Sequence, residues 1–101
     1  MKLFTNKKKL QAEIKNIKNI SFVPTMGALH KGHESLIKRS IKGSKITIVS
    51  IFVNPKQFND KKDFSAYPKN LKKDIRLLKR LKVNYLYRPN FNDIYNFKTK
   101  N

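Results

Sequence analysis

The chain has 101 residues, enough for one small domain. It has no cysteine, which excludes a disulfide framework and a thiolate metal site. Lysine and arginine total 24 against 6 acidic residues, a formal net charge of +18.

That charge runs along the whole chain on what read as solvent faces, rather than in one patch. Dedicated nucleic-acid binding is therefore not expected. No run reaches the ~20 apolar residues that cross a membrane. The basic start Met1–Lys9 leads into no apolar core with a cleavage site, so no signal peptide is read and the cytoplasm is the default compartment.

In chain order, residues 6–18 read as a surface helix, with Leu10, Ile14 and Ile17 on one face and Asn6 as its cap. Ile20–Val23 is a short apolar strand that Pro24 brings to an end. Residues 33–42 form a second helix. Leu36, Ile37, Ser40 and Ile41 make its buried face, Glu34 suits its first turn, and Gly43 suits its C′ position. Lys45–Val53 is apolar on both faces and rich in β-branched residues, as expected of a buried parallel strand. A loop follows from Asn54 to Asp60, then a polar stretch with Phe64 and Tyr67 as anchors. Pro68 suits the first turn of a third helix, striped by Leu71, Ile75, Leu78 and Leu81. Asn84–Tyr87 reads as the third strand, and the tail from Asn90 has no clear period.

A helix followed by β-α-β-α-β, with right-handed crossovers, gives three parallel strands in the order 3-2-1 and helices on both faces. This is one mononucleotide-binding half of a doubly wound α/β fold. In a full fold the first strand pairs on its other side with a fourth. Here Ile20–Val23 is expected to be an open apolar edge.

The chemistry concentrates where the first strand meets the second helix, at Pro24–His33. Free N–H groups at a helix N-terminus attract phosphate. Gly27 permits a tight turn, and Gly32 a close approach of backbone to ligand. His30 and His33 fall at the mouth of the helix, where imidazoles can donate to phosphate oxygens and stabilise developing charge. The spacing alone also allows a surface pair or a metal pair, with no third ligand obvious nearby. Lys31 reads as surface. Gln57 follows the second strand at the carboxyl edge, where α/β proteins bind ligands; an ordinary polar loop residue is the alternative, and Asn54 shares that ambiguity. Met26 and Phe58 are candidates either for an apolar pocket wall or for core packing.

Pro24-Thr25-Met26-Gly27-Ala28-Leu29-His30-x-Gly32-His33-x-Ser35-Leu36, followed by Ser50-Ile51-Phe52-Val53-Asn54-Pro55-x-Gln57-Phe58, closely resembles pantothenate synthetases (pantoate–β-alanine ligases, AMP-forming). Tyr67-Pro68, Asp74 and Ile94-Tyr95 are similar to the same family in the same order, although Asn96 stands where the family usually has proline. The His-x-Gly-His portion alone is shared by a wide superfamily of nucleotidyl transferases.

The resemblance implies ATP-dependent joining of (R)-pantoate to β-alanine through a pantoyl adenylate. It makes Met26, Gly27, Ala28, Leu29, His30, Lys31, Gly32 and His33 the ATP-binding turn. His33 is then the proton donor and His30 its companion at the phosphates. Gln57 binds pantoate and β-alanine, and Met26 walls the pantoate pocket. Mg2+ is expected on the ATP oxygens rather than in a protein cage, and a homodimer is the family's assembly. Members of the family continue with the second half of the nucleotide-binding domain and a C-terminal domain. The expectation is thus a single, incomplete nucleotide-binding unit over residues 1–101, without those later strands, whose activity alone is in question. Two other readings are a different His-x-Gly-His nucleotidyl transferase and a non-enzymatic basic binding protein.

Overall fold

The structure, a computed structural model, describes residues 1–52 and 67–89, with side chains from residue 71 onward in the second stretch. Its elements are β1 (Lys2–Phe4), α1 (Lys7–Ile14), β2 (Ile20–Thr25), α2 (Lys31–Gly43), β3 (Ile46–Ile51), α3 (Tyr67–Arg80) and β4 (Tyr85–Tyr87). Expectations for Val53, Asn54, Gln57, Phe58, Phe64 and the tail with Ile94, Tyr95 and Asn96 lie outside the described residues.

Among the described residues the sheet has four parallel strands in the order β1-β4-β3-β2. The expected 3-2-1 order recurs as β4-β3-β2, and the sheet is α/β as expected. The addition is β1, which lies beside β4 and extends that edge. Its three residues are too few to carry a period of their own. Pairing and side-chain contacts secure it. Lys2 Nζ lies 3.1 Å from Glu13 Oε1, and the Tyr85 hydroxyl donates to Glu13 Oε2 at 3.1 Å. One carboxylate therefore ties β1, α1 and β4 together.

Helices cover both faces. On one face α2 and α3 bury Ile37 and Leu78 against Val23, Val49, Ile51 and Leu86, with Ile41, Leu71, Ile75 and Leu81 packed around them. On the other face α1 brings Leu10 and Ile14 to Ile48, Tyr87, Ile20 and Tyr85. Full burial of a side chain such as Ile37 or Leu78 contributes about 1.5–3 kcal/mol. No helix among the described residues is long and apolar enough to cross a membrane.

Several boundaries differ from the sequence reading, each for a local reason. Helix α1 ends at Ile14 rather than residue 18, and the chain reverses at Asn19, whose φ is 65°. The Asn19 carbonyl accepts from the N–H groups of Lys45 and Ile46 and so feeds β2 into register beside β3. Asn6 does cap α1, accepting from Lys9 N–H at 3.0 Å.

Pro24 does not end its strand; β2 continues to Thr25. The Thr25 carbonyl accepts from Phe52 N–H at 3.1 Å, so alternate residues 21, 23 and 25 turn toward β3. The nitrogen of Pro24 then faces the unpaired side, where no donor is needed. That side is the outer edge of the sheet among the described residues, as expected for this strand.

Gly43 is the last residue of α2 rather than a left-handed residue beyond it, and Ser44 is the C-cap with extended backbone. Leu36 is 52% exposed, not buried, because the inward arc of α2 is centred on Ile37.

Candidate functional site

The turn from Met26 to His30 links the end of β2 to α2, at the carboxyl edge of the sheet. Two successive residues are left-handed, Gly27 at φ 87° and Ala28 at φ 51°. Glycine takes that conformation freely, whereas alanine is strained in it. The turn is held from three sides. Thr25 Oγ1 donates to the Ser50 carbonyl at 2.9 Å and accepts from Gly27 N–H at 3.3 Å. Asp74 of α3, 3% exposed, accepts from Ala28 N–H at Oδ2 and from Leu29 N–H at Oδ1, both at 2.9 Å.

The third hold is made by the histidines. His30 is the N-cap of α2, and its Nδ1 accepts from Gly32 N–H at 3.0 Å. His33 Nδ1 accepts from His30 N–H at 3.1 Å. This is a capping box built from imidazoles. The rings lie 4.1 Å apart, tilted by 52°.

The two bonds also fix the tautomers. A neutral imidazole that accepts at Nδ1 carries its proton at Nε2. Each histidine therefore passes a backbone N–H through its ring and offers an Nε2–H donor at the far side. The His33 ring is held below the ordinary histidine range, chiefly by partial burial and then by the neighbouring His30, with Asp74 opposing. It is neutral at pH 7 and donates without being charged.

The structure shows a reason for Gly32 within the chain itself. A Cβ there would lie 2.9 Å from His30 Cε1 and 3.1 Å from His30 Nδ1. The glycine makes room for the capping ring of its own chain.

Most N–H groups of the turn are likewise engaged within the chain. The N–H groups of Gly27, Ala28, Leu29, His30 and Gly32 all donate to protein acceptors. The two imidazoles add Nε2–H donors at the far side of their rings.

Met26 is 66% exposed at the mouth of the turn. Gln57 lies outside the described residues, so its place beside the turn rests on the sequence. Among the described residues no group of three or more His, Asp or Glu side chains is arranged to hold a metal ion.

Beside the turn a cleft of about 440 Å³ opens between the start of α2 and α3. Lys31, Lys73, Arg76 and Arg80 line it with His30 and Asp74. Glu34 at its rim pairs with Lys38 at 3.3 Å. With Asp74 and Glu34 both engaged, the cleft favours an anion.

Asp74 is the residue whose role the sequence reading missed. The available signal was an acid set inside the apolar stripe of a lysine-rich helix, three residues after Leu71 and four before Leu78.

A sequence profile of the Pantoate-beta-alanine ligase family matches residues 2–101. The chain is 52% identical over 87 residues to a pantothenate synthetase of Helicobacter acinonychis, covering 85% of this chain and 32% of that protein. It is 46% identical over 99 residues to a pantothenate synthetase of Bacteroides fragilis, covering 94% of this chain and 35% of that one. The chain thus spans about a third of the length of these curated relatives.

Its fold superposes on a pantoate-beta-alanine ligase of Francisella tularensis, solved with Beta-gamma ATP and Beta-alanine. The TM-score is 0.80 at 46% identity, over 95% of this chain and 38% of that one. A pantothenate synthetase of Thermus thermophilus gives a TM-score of 0.77 at 35% identity, over 94% of this chain and 34% of that one. With its profile match running from residue 2 to residue 101, the chain belongs to the pantoate–beta-alanine ligase family.

Proposed function

We propose that this chain supplies the ATP-binding turn for joining pantoate to β-alanine, with Met26–His33 at the nucleotide. The observation that carries this reading is the pair of Nδ1-anchored imidazoles at the carboxyl edge of the sheet, His30 and His33, both turned to donate through Nε2. Its support is the likeness to the Francisella tularensis ligase, whose structure holds Beta-gamma ATP and Beta-alanine.

In the first step a pantoate carboxylate oxygen attacks the α-phosphorus of ATP. The bond from that phosphorus to the bridging oxygen of pyrophosphate breaks, leaving pantoyl adenylate. Negative charge builds on the phosphate oxygens, and preformed N–H donors stabilise it most where they need no reorganisation. A neutral His33 suits this role. In the second step the amine of β-alanine attacks the acyl carbon, AMP leaves with the electron pair of the acyl–oxygen bond, and the ammonium loses a proton.

Gln57 belongs to the reading as the ligand of pantoate and of β-alanine, and exposed Met26 as a wall of the pantoate pocket. Magnesium would be held mainly by the ATP oxygens; at the turn Asp74 is already engaged by two N–H groups. A homodimer and a cytoplasmic location are carried with the family relationship.

The test is pantoate-dependent ATP–pyrophosphate exchange. The chain is mixed with the C-terminal two thirds of the Francisella tularensis ligase and magnesium. The expected result is exchange that needs pantoate and is lost in His33→Ala. Exchange that ignores pantoate would point instead to another nucleotidyl transferase, and no exchange in the mixture would contradict the reading.

A further inference from the structure

Asp74 is a buried carboxylate in a helix whose other inward residues are apolar. Its two oxygens receive the N–H groups of Ala28 and Leu29, one each, at 2.9 Å. Those N–H groups flank Ala28, which is left-handed at φ 51° within the turn. Successive N–H groups turned to one side form a nest, a concavity that takes an anion. In this chain the protein's own carboxylate fills it. Ala28 needs such support, since an L-residue enters the left-handed region only at a cost in free energy.

We propose that Asp74 is a positioning residue. It holds Ala28 left-handed and closes the nest to outside anions, so that a phosphate ligand meets the imidazoles of His30 and His33 instead of the backbone at 28 and 29. This rests on the reading of the turn as an ATP site.

The geometry makes the link direct. Leu29, next to the clamped Ala28, carries the chain into the capping residue His30, so the nest and the capping box are consecutive. Loosening the first moves the ring of the second. The groups that face this region are His30, His33, Lys31 and Glu34 from α2 and its cap, and Lys73, Arg76 and Arg80 from α3. Among these Asp74 is a carboxylate directed at backbone N–H groups.

The test compares the wild-type chain with Asp74→Asn and with Asp74→Asn/Ala28→Gly. The asparagine keeps the shape, but one of its two ends is a donor and opposes an N–H. Inorganic phosphate is the first probe, followed through the amide signals of residues 28 and 29 by NMR. Phosphate is expected to shift them in Asp74→Asn and to leave them unmoved in the wild type. The His33 ring, which Asp74 supports electrostatically, is expected to titrate lower in Asp74→Asn.

ATP affinity is the second probe, with a loss of tenfold or more expected in Asp74→Asn. Ala28→Gly should recover part of that loss, because glycine holds the left-handed conformation unaided. Wild-type amides that respond to phosphate as strongly as the variant's would overturn the proposal, as would unchanged ATP affinity in a folded Asp74→Asn. Should Asp74→Asn fail to fold, the double variant decides. Restored folding supports the clamp, and continued unfolding overturns it, since the carboxylate would then serve the core. A wild-type chain that binds no ATP contradicts the nucleotide reading, while the phosphate and His33 readouts still report on Asp74.

Discussion

The Nδ1 of His33 accepts the backbone N–H of His30 at 3.1 Å, so the ring of the second histidine is oriented by the main chain of the first. His30 in turn uses its own Nδ1 on Gly32 N–H at 3.0 Å. Each ring is thus both a helix cap and a donor, and these two roles separate experimentally.

His30→Ala removes the N-cap and should destabilise the chain by about 1 kcal/mol. His30→Asn restores a capping oxygen and should recover most of that loss. Neither variant carries an outward Nε2–H, so both should lose ATP affinity. Thermal unfolding and calorimetric ATP binding check the two halves of this expectation. ATP affinity that tracked stability in both variants would show that His30 acts only as a cap.

His33 should titrate below the ordinary histidine value of about 6.5. Its causes are partial burial first and the neighbouring His30 second, with Asp74 opposing. Folding therefore favours the neutral ring. The unfolded chain takes up the proton first, so stability falls as pH drops from about 6.5 toward the folded-state midpoint and levels off below it. A ring titration by NMR checks the midpoint, and a value above 6.5 would contradict the burial argument.

Gly32→Ala places a methyl carbon 2.9 Å from His30 Cε1. The ring must move, and the bond from Gly32 N–H to His30 Nδ1 should break. The expected result is a loss close to that of His30→Ala in both stability and ATP affinity. Combining the two should add little, because both remove one cap.

Thr47 Oγ1 is buried without a hydrogen-bond partner among the described residues, although Thr47 N–H is satisfied by Asn84 Oδ1 at 2.8 Å. Thr47→Val keeps the shape and removes the unpaired hydroxyl. It should be neutral or stabilise the chain by roughly 1 kcal/mol, read as a shift in thermal midpoint.

The parts of the fold that carried a period were legible in the sequence. β3 reads as a buried strand because Ile46, Ile48, Val49 and Ile51 leave no polar face, and α3 because Leu71, Ile75 and Leu78 recur at helical spacing. β1 was not legible, since three residues gain their state from pairing with Tyr85–Tyr87 rather than from any pattern. Pro24 misled because a proline ends a central strand, whereas on the open edge already expected for Ile20–Val23 its missing N–H costs no ladder bond.

At the site, His30 and His33 stood out by type and context. Their capping bonds did not, because histidine is not among the residues that usually signal a helix start. Asp74 lies 45 or 46 residues from the N–H groups it holds, a contact that only the packing of α3 against the turn creates.

The most direct test of this account is the 15N spectrum of the two imidazoles, recorded with and without ATP and magnesium. The account predicts unprotonated Nδ1 and protonated Nε2 in both rings near pH 7, with ATP shifting the Nε2 signals. The amides of Ala28 and Leu29, held by Asp74, should stay in place. ATP that shifted those amides and left both Nε2 signals unmoved would contradict it.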